Sequence, residues 1–122
     1  EWLMYDKSQV TEELIESRYR IYTQPSYQKA VYNIVYLQDM EARMKYTWDP
    51  SWCGKIDVPT LLVWTDHDPT STVEEGKPIQ EMIPGSELKV IKNAGHWPQW
   101  EQVEEFNQTL IDFFSKVPLE VK

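Results

Sequence analysis

Cysteine is almost absent from this sequence. Cys53 is the single one among 122 residues, so neither an internal disulfide framework nor a cysteine-built zinc site can form. Basic residues are scarce: 12 Lys and Arg stand against 20 Asp and Glu, a formal net charge of −8. A chain so acidic has little with which to neutralise a phosphate backbone or an anionic bilayer, which excludes nucleic acid and membrane as expected partners. Long apolar runs are missing too. The longest are a handful of residues, against the about 20 that cross a bilayer. No basic head followed by an apolar stretch opens the chain, so no secretory signal is read there. A reduced, cytoplasmic setting is the expectation. Residue 1 is Glu, and Trp2-Leu3-Met4-Tyr5 reads as the interior of something longer. A fragment is therefore expected.

What is present suits one small folded unit, with 41% of residues in the hydrophobic set. The style changes near residue 56. Residues 1–55 are aromatic, polar and helix-like. Thr11 opens a helix, with Val10 and Ile15 placed as a hydrophobic staple and Glu12 and Glu13 in the first turn. Leu14, Arg18 and Ile21-Tyr22 share a face, so Arg18 lies on or beside the apolar side. A second helix is expected from about Ser26 to Lys45.

Residues 56–122 alternate strand, loop and helix. Thr60-Leu61-Leu62-Val63-Trp64 reads as a strand buried on both faces, as in a parallel sheet. Ser71 and Glu74 are spaced as a capping box for a helix over about 72–83. Leu88 to Lys92 reads as a second strand, after a turn at Pro84-Gly85-Ser86. The last helix, about 99–116, carries Trp100, Val103, Phe106, Leu110 and Phe113 on one apolar face. Such alternation belongs to an α/β layer fold, where function collects in loops after the carboxyl ends of strands. Asp68 and His96 both fall there.

A carboxylate and a histidine on adjacent strand ends form an orienting pair. The acid sets the imidazole tautomer, and the ring acts as base on a nucleophile. That nucleophile is lacking. None of Gly54, Gly76, Gly85 and Gly95 is followed two residues later by Ser, so no Gly-x-Ser-x-Gly elbow exists in this chain.

Gly95-His96-Trp97-Pro98-Gln99-Trp100-Glu101 resembles the histidine motif of α/β-hydrolases that cut a carbon–carbon bond in meta-ring-cleavage products of aromatic catabolism. Leu62-Val63-Trp64-Thr65-Asp66-His67-Asp68 is similar to the acid loop of that family. Thr65 stands where Gly is usual, and the loop after Asp68 departs from the common pattern. Val10 to Tyr19 resembles the helix of the lid whose arginine meets substrate, and Trp48-Asp49 the return of the lid to the core. The likeness covers about residues 8–116.

The resemblance implies an α/β fold of a definite kind: the C-terminal fragment of an α/β-hydrolase. Residues 1–55 would be the helical lid remainder. Residues 56–122 would be the last two strands and helices of the core. His96 would be the triad base and Asp68 its acid partner. Arg18 would bind the oxo-carboxylate end of the substrate, and Trp97 would line the pocket. The serine would lie upstream. The reaction implied is hydrolysis of a 2-hydroxy-6-oxo-dienoate to a 2-hydroxydienoate and a carboxylic acid, with no metal or organic cofactor. A guanidinium fork suits such an anion. Expected partners are this small anionic dienoate, the missing N-terminal half, and further copies in a homo-oligomer.

Blander readings stand beside these. Asp66 competes with Asp68 for the acid's role, and His67 reads as a solvated loop residue. Arg18 also reads as a snorkelling surface cation, and Cys53 and Trp100 as packing residues. The parent also reads as a carboxylesterase, since fold and triad do not set the substrate. From another class, the chain reads as a non-catalytic piece that acts only by association.

Overall fold

The computed structural model describes residues 2–36 and 49–117. A 3₁₀ turn, Lys7–Gln9, leads to α1 (Glu12–Tyr22) and α2 (Pro25–Tyr36). There follow α3 (Pro50–Cys53), β1 (Leu61–Thr65), α4 (Val73–Met82), β2 (Glu87–Ile91), α5 (Pro98–Glu101) and α6 (Val103–Lys116). Contacts divide the chain into two compact units: residues 10–48, and residues 1–9 with 49–122.

Within residues 10–48, Thr11 caps α1 as its sequence position predicts. Its hydroxyl accepts the Leu14 N–H at 3.2 Å, which satisfies one of the unpaired donors of a helix start. Leu14 and Arg18 are the half-buried residues of this otherwise exposed helix; Ile21 and Tyr22, expected on the same face, are 41% and 43% exposed. The expected second helix is present over Pro25–Tyr36. Its continuation towards Lys45 lies outside the described residues.

In the other unit, β1 and β2 pair in parallel, with Leu61 opposite Glu87 and Thr65 opposite Ile91. The connection between them carries α4, as a parallel crossover requires. Cys53, Ile79 and Ile83 form a buried cluster, with Ile56, Leu62, Trp64 and Met82 packed on it. Cys53 is a packing residue here, fully buried and in no disulfide. Leu61 to Trp64 are half-buried rather than buried on both faces. Two strands are too few to cover them.

Two local expectations shift. The helix cap sits one residue later than the Ser71–Glu74 pairing: Thr72 is the N-cap, and the Glu75 carboxylate accepts the Thr72 N–H at 2.7 Å. Ser71 instead accepts the indole N–H of Trp64 at 3.2 Å. The last helix is broken at Gln102, whose φ of −134° and ψ of 59° are not helical. Trp100, expected in the core, is 43% exposed. Its neighbour Glu101 is turned inward instead.

Candidate active site

The parallel register ends both strands level, at Thr65 and Ile91. The loops that leave them therefore run side by side. Backbone bonds lace them together: Asp66 N–H to the Ile91 carbonyl at 3.2 Å, and His67 N–H to that of Ala94 at 3.1 Å. The buried Thr65 hydroxyl, standing where Gly was usual, donates to the Gly95 carbonyl at 2.7 Å. Asn93 helps turn the second loop, with a left-handed φ of 53°, a conformation Asn tolerates better than most residues.

This lacing brings Asp68 to His96 across 28 positions of sequence. Asp68 Oδ2 lies 2.8 Å from His96 Nδ1. The Asp68 side chain is 15% exposed and the imidazole 42%. The other oxygen, Oδ1, accepts both the N–H and the hydroxyl of Thr70, each at 2.7 Å. Partial burial pushes the Asp68 carboxyl up. The two bonds from Thr70, with the bond and charge of His96, outweigh it and hold Asp68 below the usual carboxylate range. Asp68 is thus held ionised and accepts the Nδ1 proton. In the neutral ring that tautomer leaves the Nε2 lone pair for a base's work.

Asp66, the rival acid, is engaged elsewhere. Its Oδ1 accepts the Ala94 N–H at 3.4 Å, and its Oδ2 lies 3.9 Å from His67 Nε2 and from Lys92 Nζ. His67 stacks on Tyr5, ring centres 4.1 Å apart. A cavity of about 400 Å³ opens beside the pair, walled by Trp64, Ser71, Pro98, Gln99 and Phe106 among others. Trp97 stands half-buried at the N-terminal end of α5. Arg18 belongs to the other compact unit, its guanidinium carbon 5.4 Å from the Tyr22 ring centre.

Two residues escaped sequence reasoning. Thr70 is one. The other is Glu101, the buried end of the histidine motif. Its Oε1 accepts the Gly95 N–H at 2.8 Å; its Oε2 accepts the N–H groups of Tyr5 at 2.7 Å and Asp6 at 3.2 Å. His96 N–H adds a bond to the Leu3 carbonyl at 2.7 Å. The segment Leu3–Asp6 is thereby strapped to the histidine loop. Gly95 is required there, because a Cβ would sit 2.3 Å from the Leu3 carbonyl oxygen and 2.8 Å from the Tyr5 nitrogen. Gly95→Ala should destabilise the chain by about 2 kcal/mol through this overpacking, seen as a lower urea midpoint. Gly85→Ala is a poor control, since φ is +74° there. Asn107→Ala, exposed on α6, serves better. An unchanged midpoint in Gly95→Ala would refute the strap's closeness.

The family described as alpha/beta hydrolase fold matches residues 11–103. This chain belongs to the α/β-hydrolases. Among curated α/β-hydrolases it is 35% identical over 111 residues to 2-hydroxy-6-oxononadienedioate/2-hydroxy-6-oxononatrienedioate hydrolase 2 of Pseudomonas putida, covering 90% of this chain and 37% of that protein. Among solved structures it superposes on a meta-cleavage product hydrolase from Pseudomonas fluorescens IP01 with a TM-score of 0.79 and 26% identity. That match covers 94% of this chain and 42% of the other. A thermophilic esterase from Thermogutta terrifontis is 34% identical over 51% of this chain and 23% of its own, with a TM-score of 0.50. The chain thus spans well under half the length of these α/β-hydrolases.

Proposed function

We propose that this chain is the C-terminal part of a hydrolase that cleaves a carbon–carbon bond of a 2-hydroxy-6-oxo-dienoate. The observation that carries the reading is the Asp68–His96 bond of 2.8 Å at the level ends of two parallel strands. It supplies the acid and base of a triad, in the chain order acid then histidine that α/β-hydrolases use. The likeness to carbon–carbon hydrolases over nine-tenths of the chain supports the substrate class. Residues 1–55 are read as the lid remainder and 56–122 as the core, with Leu3–Asp6 and Cys53 of the first stretch packed into the unit of the second.

In this reading a serine upstream is the nucleophile and His96 Nε2 accepts its proton. After ketonisation of the dienol, water adds across the carbon–carbon bond. One product is a 2-hydroxydienoate and the other a carboxylic acid. Arg18 holds the oxo-carboxylate end from the lid, and Trp97, which is not among the residues that wall the cavity beside the pair, lines the pocket that the upstream half completes. An acidic protein needs such a local cation to receive an anion. The half-buried faces of β1 are read as the place where the N-terminal half packs. Assembly into a homo-oligomer and a cytoplasmic location complete the proposal; among the described residues no helix is long and apolar enough to cross a membrane.

A carboxylesterase is the second reading, favoured by the Thermogutta likeness over about half of the chain. The test follows the dienolate absorbance of a 2-hydroxy-6-oxo-dienoate in a chain that carries the upstream half. Rapid bleaching abolished by His96→Ala is the expected result. Ester hydrolysis without bleaching would move the function to the esterase reading. Arg18→Gln should raise KM for the dienoate but not for a neutral ester.

A further inference from the structure

The loop after Asp68 is where this sequence leaves the pattern of the family it resembles, and Thr70 stands in it. Thr70 is exposed, yet its hydroxyl oxygen touches both members of the pair. It donates to Asp68 Oδ1 at 2.7 Å and lies 3.1 Å from His96 Nδ1. A hydroxyl has one hydrogen. With that hydrogen on Asp68, its oxygen faces Nδ1 only as an acceptor, so the Nδ1 proton is shared between Asp68 Oδ2 and Thr70 Oγ1.

We propose that Thr70 is a positioning residue for the Asp68–His96 pair. Its two donors, N–H and O–H, both take Oδ1. The carboxylate is left one orientation, with Oδ2 towards the ring. The hydroxyl oxygen then gives the Nδ1 proton a second acceptor, which fixes the plane of the imidazole and with it the direction of Nε2. The two bonds to Oδ1 are what the turn itself asks for: Ser8 makes the same pair with Asp6 Oδ1, at 2.9 and 2.6 Å. The third contact, to the imidazole, is what a turn does not ask for. This inference rests on the reading of Asp68 and His96 as acid and base, and not on which substrate they serve.

The test compares Thr70→Val and Thr70→Ser in a chain that carries the upstream half. Valine keeps the shape and loses the hydroxyl; serine restores it. Thr70→Val should lower kcat about tenfold, the scale of one hydrogen bond to a charged group, with KM unmoved. Thr70→Ser should recover most of the loss. The same pattern is expected with a dienoate and with an activated ester. The Nδ1 proton resonance of His96, far downfield when bonded to a carboxylate, should broaden or vanish in Thr70→Val and return in Thr70→Ser. Unchanged kcat in Thr70→Val would overturn the proposal. So would a loss that serine does not repair. If the wild type bleaches no dienoate yet cleaves esters, the substrate reading fails and the Thr70 comparison is made on the ester. If it cleaves neither, the Nδ1 resonance decides alone: an identical signal in wild type and Thr70→Val overturns the proposal.

Discussion

Asp68→Asn, in a chain that carries the upstream half, should lower kcat by about 10⁴-fold, the scale of a triad histidine held in the wrong tautomer. The geometry says why so gentle a change does so much. Thr70 presents two donors to Oδ1. An asparagine must therefore turn its carbonyl to Thr70. Its amide N–H₂ then faces His96 Nδ1, where the carboxylate Oδ2 lay 2.8 Å away. Facing a donor, Nδ1 must accept, and the ring's proton moves to Nε2. A ring protonated there cannot take a proton from a nucleophile. KM should change little, because both Asp68 oxygens are taken up by Thr70 and the imidazole. Steady-state kinetics with dienoate or ester checks this. A loss under tenfold would mean that Asp68 is a loop-holding residue and that the base is oriented by something else.

Glu101→Gln should cost about 3 kcal/mol of stability. The carboxylate is 6% exposed and accepts three backbone N–H groups, one on one oxygen and two on the other. An amide has one acceptor oxygen. Whichever way it turns, a donor meets a donor, and at least one buried N–H loses its partner. Glu104→Gln, on the exposed side of the next helix, should shift stability by less than about 0.5 kcal/mol. Urea unfolding measures both. Amide exchange adds a local readout: the protection of Gly95, Tyr5 and Asp6 should fall in Glu101→Gln before that of Leu62 or Val90 does. Equal stability of the two variants would show that the strap contributes nothing.

Sequence reasoning reached the strands and the pair because their signals are local. Thr60 to Trp64 is a continuous apolar run behind Pro59, and the strand, Leu61–Thr65, lies one residue from it. Leu88 to Lys92 was likewise off by one. Asp68 and His96 were legible as loop residues after successive strands, which the level register then brought together. What stayed hidden depends on partners far away in the chain. Glu101 looks like any solvated helix acid until Tyr5 and Asp6 arrive, 96 and 95 positions distant. That inward turn also explains Trp100. Periodicity assigned it to the core, but α5 gives its buried position to the carboxylate. The break at Gln102 was invisible for a related reason: apolar spacing of three and four continues across it. Ser71 and Thr72 are both plausible caps by type, and only the Trp64 indole, bonded to Ser71, tells them apart.

The connection between β1 and β2 has a consequence for the order of assembly. Asp68 and His96 are separated by 28 positions, Tyr5 and Glu101 by 96. Closing the longer loop costs about 1 kcal/mol more chain entropy, and contacts of long range form late. The acid and the base therefore meet as soon as one strand–helix–strand unit closes, while the strap is still loose. A refolding chain should show Nδ1–Asp68 bonding before Gly95 gains its protection from exchange.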